Sequence, residues 1–141
     1  MKGMYEISTD TARFDLDLIH EFLSTTYWAQ GRPRELVERS IRNSLCFGAF
    51  DGAHQVGFAR VITDRAVFGY LADVFVLPAY RGRGIAKLLM TAIVEHPDIS
   101  GLKVLLLRTR DAHGLYAQFG FNPLTDADEM MVRNGTLPGF G

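Results

Sequence analysis

The sequence predicts one α+β domain, a mixed α/β arrangement with the element order β, α, α, β, β, β, α, β, α, β, β. Three observations carry this. Apolar runs rich in β-branched and aromatic residues stand at Leu45–Phe50, Val56–Thr63, Phe68–Leu77 and Leu102–Thr109, each bounded by turn residues. Directly behind Arg81-Gly82-Arg83-Gly84 the period changes, and Ile85, Leu88, Leu89, Ala92 and Ile93 fall on one face of a helix. A length of 141 residues with 48% apolar content suits one hydrophobic core. Residues 1–141 are therefore read as a single domain. The last stretch, 134–141, holds three glycines and a proline and reads as a frayed tail.

Met4 to Ile7 is the first strand candidate, and Ser8 to Thr11 offers helix-capping residues. From Phe14 to Thr25, Leu16, Ile19 and Leu23 share a helical face with Leu18 and Phe22 beside it. Tyr27-Trp28-Ala29-Gln30-Gly31 breaks this helix, and Pro33 suits the first turn of a second, with Leu36, Val37, Ile41 and Leu45 on its apolar side. Asp51-Gly52 between apolar runs marks a hairpin. The strand behind it, Gly57 to Val61, reads as having one polar-tolerant face. Asp64-Arg65-Ala66 turns the chain into a third meander strand. Strict alternation along that strand puts Tyr70, Ala72, Val74 and Val76 on one face and Leu71, Asp73 and Phe75 on the other.

Pro78 ends that strand, having no N–H for a ladder. A helix is expected from Gly84 to His96, closed by Pro97. Leu102–Thr109 is the next buried strand, and strand, crossover helix and strand make a right-handed parallel unit. Asp111 is placed to cap a short helix, Ala112 to Phe119, ended by Gly120. Phe121–Leu124 and Met130–Arg133 are expected as the last two strands.

The glycine turn has a chemical consequence. The first N–H groups of a helix lack intrahelical partners, and the helix dipole puts positive potential there. Glycines let backbone approach a ligand closely. A strand–glycine turn–helix of this kind can hold phosphate oxygens, and Arg81, Arg83 and Lys87 add positive charge. The run lacks the third glycine of a dinucleotide fingerprint and is not a P-loop. A plain turn between strand and helix is the alternative.

Composition narrows the class further. The formal net charge of −1 argues against a general nucleic-acid binder. The single cysteine, Cys46, precludes an intrachain disulfide, and its apolar setting reads as a buried, inert thiol. No signal-peptide-like segment or membrane-length apolar run is seen, so the expected location is cytoplasmic. Without export, Asn134-Gly135-Thr136 has no meaning as a glycosylation acceptor. His20, His54, His96 and His113 show no metal-ligand spacing, and no metal is expected. His113 reads as an exposed first-turn residue.

Arg81-Gly82-Arg83-Gly84-Ile85-Ala86 resembles the acetyl-CoA loop of the GCN5-related N-acetyltransferase (GNAT) family, [QR]-x-x-G-x-[GA]. Val76-Leu77-Pro78-Ala79-Tyr80 is similar to that family's strand end and turn. Leu115-Tyr116-Ala117-Gln118-Phe119-Gly120-Phe121 resembles its second signature, L-Y-x-x-x-G-F. The two motifs cover Tyr70 to Leu124, and the first fifty residues carry no family signature.

The resemblance implies the acyl-CoA N-acyltransferase fold, with a mixed, mostly antiparallel sheet flanked by helices. It implies acetyl-CoA as co-substrate and a primary amine, that of a small molecule, as the expected acceptor, with direct attack and no acyl-enzyme. Gly82 to Ala86 would bind the pyrophosphate, and Val74, Phe75 and Val76 the pantetheine arm. The backbone N–H near Phe75 or Val76 would polarise the thioester carbonyl. Tyr116 would be the general acid for the departing thiolate; packing beneath the loop is its other reading. Asp73, a carboxylate in an apolar strand, is a candidate general base if isolation raises its pKa; it could equally cap a bulge or accept backbone N–H bonds. Tyr27 and Trp28 either pack or line an acceptor pocket. Many relatives self-associate, so a homodimer is one implied state. A non-catalytic acyl-CoA sensor, or an enzyme acting on protein lysines or N-termini, are the competing functions.

Overall fold

The computed structural model describes residues 4–136. Its strands are β1 (Glu6–Ser8), β2 (Leu45–Asp51), β3 (His54–Thr63), β4 (Phe68–Val76) and β5 (Val104–Leu107). Its helices are α1 (Leu16–Leu23), α2 (Arg34–Arg42), α3 (Ile85–Glu95), α4 (Pro97–Ser100) and α5 (His113–Ala117). The strands form one sheet in the order β1-β2-β3-β4-β5. The first three pairings are antiparallel, and β4–β5 is parallel across α3 and α4. This is the mixed, mostly antiparallel sheet flanked by helices that the sequence leads one to expect.

β2 and β3 are buried on both faces, so their apolar runs are continuous rather than alternating. On one face Leu45, Phe47 and Ala49 meet Ile85, Leu89, Met90 and Ile93 of α3, and Tyr116 of α5 joins them. On the other face Cys46, Phe50, Phe58 and Phe75 meet Ile19 and Leu23 of α1 and Val37 and Ile41 of α2. Phe22 stacks on Phe75 with ring centroids 4.3 Å apart, which seats α1 on β4.

Several local expectations are corrected. Ser8–Thr11 does not cap α1: Asp15 does, accepting from the Leu18 N–H, while Asp10 caps the short turn Thr11–Arg13. Pro97 ends α3 but also opens α4 at its first position, where no N–H is needed. Asp111 does not cap α5. Thr109 Oγ1 accepts the Ala112 N–H at 3.0 Å instead, and Ala112 occupies the cap position.

The polar-tolerant face of β3 is not a solvent face, because Arg60 is buried. Alternation along β4 also fails midway. Phe58 pairs with Phe75 and Arg60 with Ala72, so Asp73 and Val74 together oppose Ala59. The bulge is made by Asp73 at φ 56°, a left-handed conformation that Asp tolerates better than most residues. Beyond it Val74 and Val76 join Leu71 on the α3 face and Phe75 turns to the α1 face.

Phe121–Leu124 and Met130–Arg133 are not strands. Among the described residues this segment is irregular apart from a short turn, Ala127–Glu129. Leu124, Met130, Met131 and Val132 are exposed. A strand needs a partner, and β5, only four residues long, is not paired with this segment. Pro123 removes one ladder donor besides. In the expected tail, 134–136 has no regular structure; 137–141 lies outside the described residues.

Candidate active site

The parallel pairing of β4 with β5 stops at Leu71–Leu107. Past that point β4 continues to Val76, with no β5 partner across from Ala72–Val76. A cleft of about 570 Å³ opens between the diverging ends. β4 contributes Tyr70 to Val74, the chain after β5 contributes Arg108 to Ala112, α5 contributes Tyr116, and the α1–α2 connection contributes Tyr27 and Trp28.

At the end of β4 the chain turns through Pro78–Tyr80 and the glycine loop into α3. Gly82 and Gly84 have φ of 78° and 80°, which only glycine adopts at little cost. Gly84 is the cap residue of α3, and no side chain caps that helix start. A Cβ built on either glycine meets nothing within 4 Å. Arg81 Nε donates to the Val76 carbonyl at 3.1 Å, which ties the loop to the strand end. Arg83 Nη1 donates to the Tyr5 hydroxyl at 2.9 Å, with its guanidinium over the Tyr80 ring. Both guanidiniums rest on neutral groups, so their charge is not cancelled by these contacts.

Of the residues singled out from sequence, Tyr27, Trp28, Asp73, Val74 and Tyr116 line the same cleft. Arg81, Gly82, Arg83, Gly84, Ile85 and Ala86 lie beyond it, at the turn and the first residues of α3. Ile85 is a core residue. The side chain of Phe75 is in the core on the α1 face, leaving only its backbone for a site role. Val76 pairs with Gly57. His113 is exposed, as expected.

Tyr116 is 9% exposed and packs edge-on against Phe121 while reaching the cleft, so its packing and pocket readings coexist. Burial, with help from Asp111 and Tyr27, raises its phenol pKa above the ordinary value. It therefore holds its proton to higher pH than a free tyrosine. Tyr70 is raised too, mainly by burial. Cys46 is buried beside Arg60, and burial pushes its thiol up to about 12, which makes it a poor nucleophile.

The isolation expected for Asp73 is absent. Its Oδ2 accepts from Arg60 Nε at 2.9 Å and from Arg32 Nη1 at 3.0 Å, and its Oδ1 accepts from Trp28 Nε1 at 3.0 Å. The burial is as expected, with 1% of the side chain exposed, but two guanidiniums compensate the charge. Sequence reading missed Arg32, Arg60 and the cleft wall at Arg108, Thr109 and Arg110. A signal existed for Arg60: it and Asp73 are opposite charges in neighbouring, otherwise apolar strands of one meander, and such charges pair when buried.

Among the described residues no group of His, Cys, Asp and Glu side chains is placed to hold a metal ion, and no helix is long and apolar enough to cross a membrane.

Comparison with known proteins agrees with this geometry. The acetyltransferase (GNAT) domain model matches residues 42–123. A Gibberella zeae protein assigned as an acetyltransferase is 31% identical over 153 residues, covering 92% of this chain and 85% of that protein. A crystal structure from Xanthomonas campestris pv. campestris, of a protein assigned to the GNAT acetyltransferases, shares 51% identity. It superposes with a TM-score of 0.91 over 97% of each chain. The N-acetylglutamate synthase of Neisseria gonorrhoeae, solved with coenzyme A and N-acetyl-glutamate, shares the fold at 19% identity and a TM-score of 0.70. That match covers 92% of this chain and 31% of the synthase. The chain with its uncapped α3 start, glycine loop and splayed β4–β5 cleft belongs to the GNAT family of acetyltransferases.

Proposed function

We propose that the protein transfers an acetyl group from acetyl-CoA to a primary amine, that of a small molecule. One observation carries this most directly. Ile85 at the uncapped start of α3, Val74 and Val76 at the end of β4 that has no β5 partner, and the buried Tyr116 pack in one cluster on the same side of the sheet. The residues fit the carrier. Backbone N–H groups from Gly82 to Ala86 are suited to a pyrophosphate, and Arg81, Arg83 and Lys87 supply charge around it. Val74 to Val76 would take the pantetheine amides along a strand edge.

When bound, acetyl-CoA supplies an acetyl thioester, which the amine attacks directly, giving an acetamide and the free thiol of coenzyme A. A backbone N–H near Phe75 or Val76 would polarise the carbonyl. Tyr116, its pKa raised by burial, keeps a proton to give to the departing thiolate. The proton lost by the amine goes to water in the cleft, because the oxygens of Asp73 are committed to Arg32, Arg60 and Trp28. The cleft of about 570 Å³ walled by Tyr27 and Trp28 is of small-molecule size, which favours a small acceptor over a protein segment.

The test has two stages. Titration calorimetry with acetyl-CoA is expected to show saturable binding, and thiol release is expected with members of a panel of small primary amines. Absence of binding by the folded protein overturns the proposal. Binding with no thiol release, whether from small amines or lysine peptides, would make the chain an acyl-CoA-binding module.

A further inference from the structure

The buried cluster around Asp73 is not used by the mechanism above, yet it adjoins the cleft. It spans four elements: Ser44 before β2, Arg60 on β3, Asp73 on β4, and Trp28 with Arg32 between α1 and α2. Arg60 is its foundation. It sits on the sheet, 9% exposed, and its Nη1 also donates to Ser44 Oγ at 3.2 Å. The bulge then decides where the Asp73 carboxylate goes. Regular alternation would send it to the face opposite Ala72. The left-handed turn at Asp73 brings it instead to the face of Arg60, whose register partners are Ala72 and Cys46.

From there the carboxylate holds the α1–α2 connection. Oδ1 takes the Trp28 indole N–H and Oδ2 takes Arg32. Arg32 is tethered a second time, as His20 Nε2 lies 3.2 Å from its carbonyl oxygen. Trp28 meets Tyr27 edge-on at 5.1 Å, and the Arg110 guanidinium lies over Tyr27 at 3.6 Å. Asp73, Trp28, Tyr27 and Arg110 thus form a continuous chain from the β4 wall to the wall beyond β5, and all four line the cleft.

We infer that Asp73 is a positioning residue. Its carboxylate fixes Trp28 and Arg32 against the β4 bulge and so sets the width of the cleft on its α1–α2 side. It acts through Trp28 and transfers no proton. Acceptance of three donors requires a group that only accepts, which a carboxylate is and a carboxamide is not. Asp73→Asn, which keeps shape and tolerates the left-handed backbone, therefore turns an amide N–H₂ towards at least one of them. That the affected wall meets the acceptor rests on the functional reading above; the fixing of Trp28 does not.

Trp28 is the single tryptophan of the chain, so its fluorescence reports the joint directly. In Asp73→Asn the emission is expected to shift to the red and acrylamide quenching to rise several-fold. Acetyl-CoA affinity should stay unchanged, because the glycine loop is not part of the cluster. With an active amine, KM for the acceptor should rise by about tenfold, the cost of losing one hydrogen bond to a charged group. Bulkier amines should gain relative to small ones, and the pH profile of kcat should keep its shape. Should Asp73→Asn not fold, Trp28→Phe keeps a ring but loses the N–H, and must show the same KM rise and relaxed selectivity. Unchanged quenching in Asp73→Asn overturns the inference. So does a kcat loss with the acid limb of the pH profile flattened, the mark of a lost base. Trp28→Phe with unaltered acceptor kinetics overturns it as well. A failure of acetyl-CoA binding in the parent protein would instead strike the proposed function and leave the quenching result standing.

Discussion

Two breaks in regular backbone lie close together on the same stretch of chain, and they are treated in opposite ways. At Asp73 the chain turns left-handed in the interior, and the carboxylate it carries there is met by two guanidiniums and an indole. At Gly82 and Gly84 it turns left-handed at the surface, and no side chain comes to cap the helix that follows. A buried break must satisfy itself, since water is not there to do so. A surface break can be left with donors facing outward, because solvent serves until a ligand replaces it. The first is a fixed point, the second a receptor.

The buried side should break hardest. Arg60→Ala leaves the Asp73 carboxylate with one guanidinium fewer and is expected to cost about 3–5 kcal/mol. Urea unfolding should show this as a lower midpoint at unchanged slope; a loss well under 1 kcal/mol would mean that the pair is not the foundation of the cluster. Next comes Tyr116→Phe, between the two regions. Turnover should fall by about 100-fold with acetyl-CoA affinity retained. A loss confined to affinity would make Tyr116 wall rather than acid. Because its pKa is raised, the rate of the parent protein should not fall through loss of this proton until the pH is above the ordinary tyrosine range.

The surface side should break more gently. Gly84→Ala asks an L residue to hold φ of 80°, a cost of about 1–2 kcal/mol. With nothing within 4 Å of the added Cβ, the loop has room to relax. The cost should then appear as about tenfold weaker acetyl-CoA binding rather than in the unfolding midpoint. A shift in the midpoint alone would show that the loop is held as rigidly as the bulge.

The smallest effect near neutral pH belongs to Cys46. Its folded pKa is raised from 9.0 to about 12, so the associated stability is complete below pH 9 and drains away as pH climbs towards 12. The slope is about 1.4 kcal/mol per pH unit once the unfolded thiol ionises. Urea midpoints measured between pH 8 and 10.5 should fall less steeply in Cys46→Ala; equal slopes would place water at the thiol.

The two regions also differ in how far they could be read from residues. Gly82 and Gly84, with helical spacing behind them, state a local chemistry in consecutive positions. The turn, the helix start and the likeness to an acetyl-CoA loop were all legible there. Tyr116 was legible by motif. The Asp73 cluster was not, for its members come from positions 28, 32, 44, 60 and 73, and only strand register brings them together. Reading β4 as strict alternation put Asp73 on the wrong face, because one extra residue reverses everything beyond it. Phe121–Leu124 and Met130–Arg133 had the composition of strands, but composition cannot supply a neighbour to pair with.

By itself, then, the sequence determined what depends on neighbours along the chain. That covers the hairpin at Asp51-Gly52, the period of α3, the glycine turn that opens it, and the family these motifs share. Tertiary structure alone decided the splay of β4 from β5, the bulge, and the partners of the buried carboxylate. The reason is range. A helix start or a tight turn is settled by the φ of one or two residues, whereas a buried charge is tolerable only where residues distant in sequence arrive to match it.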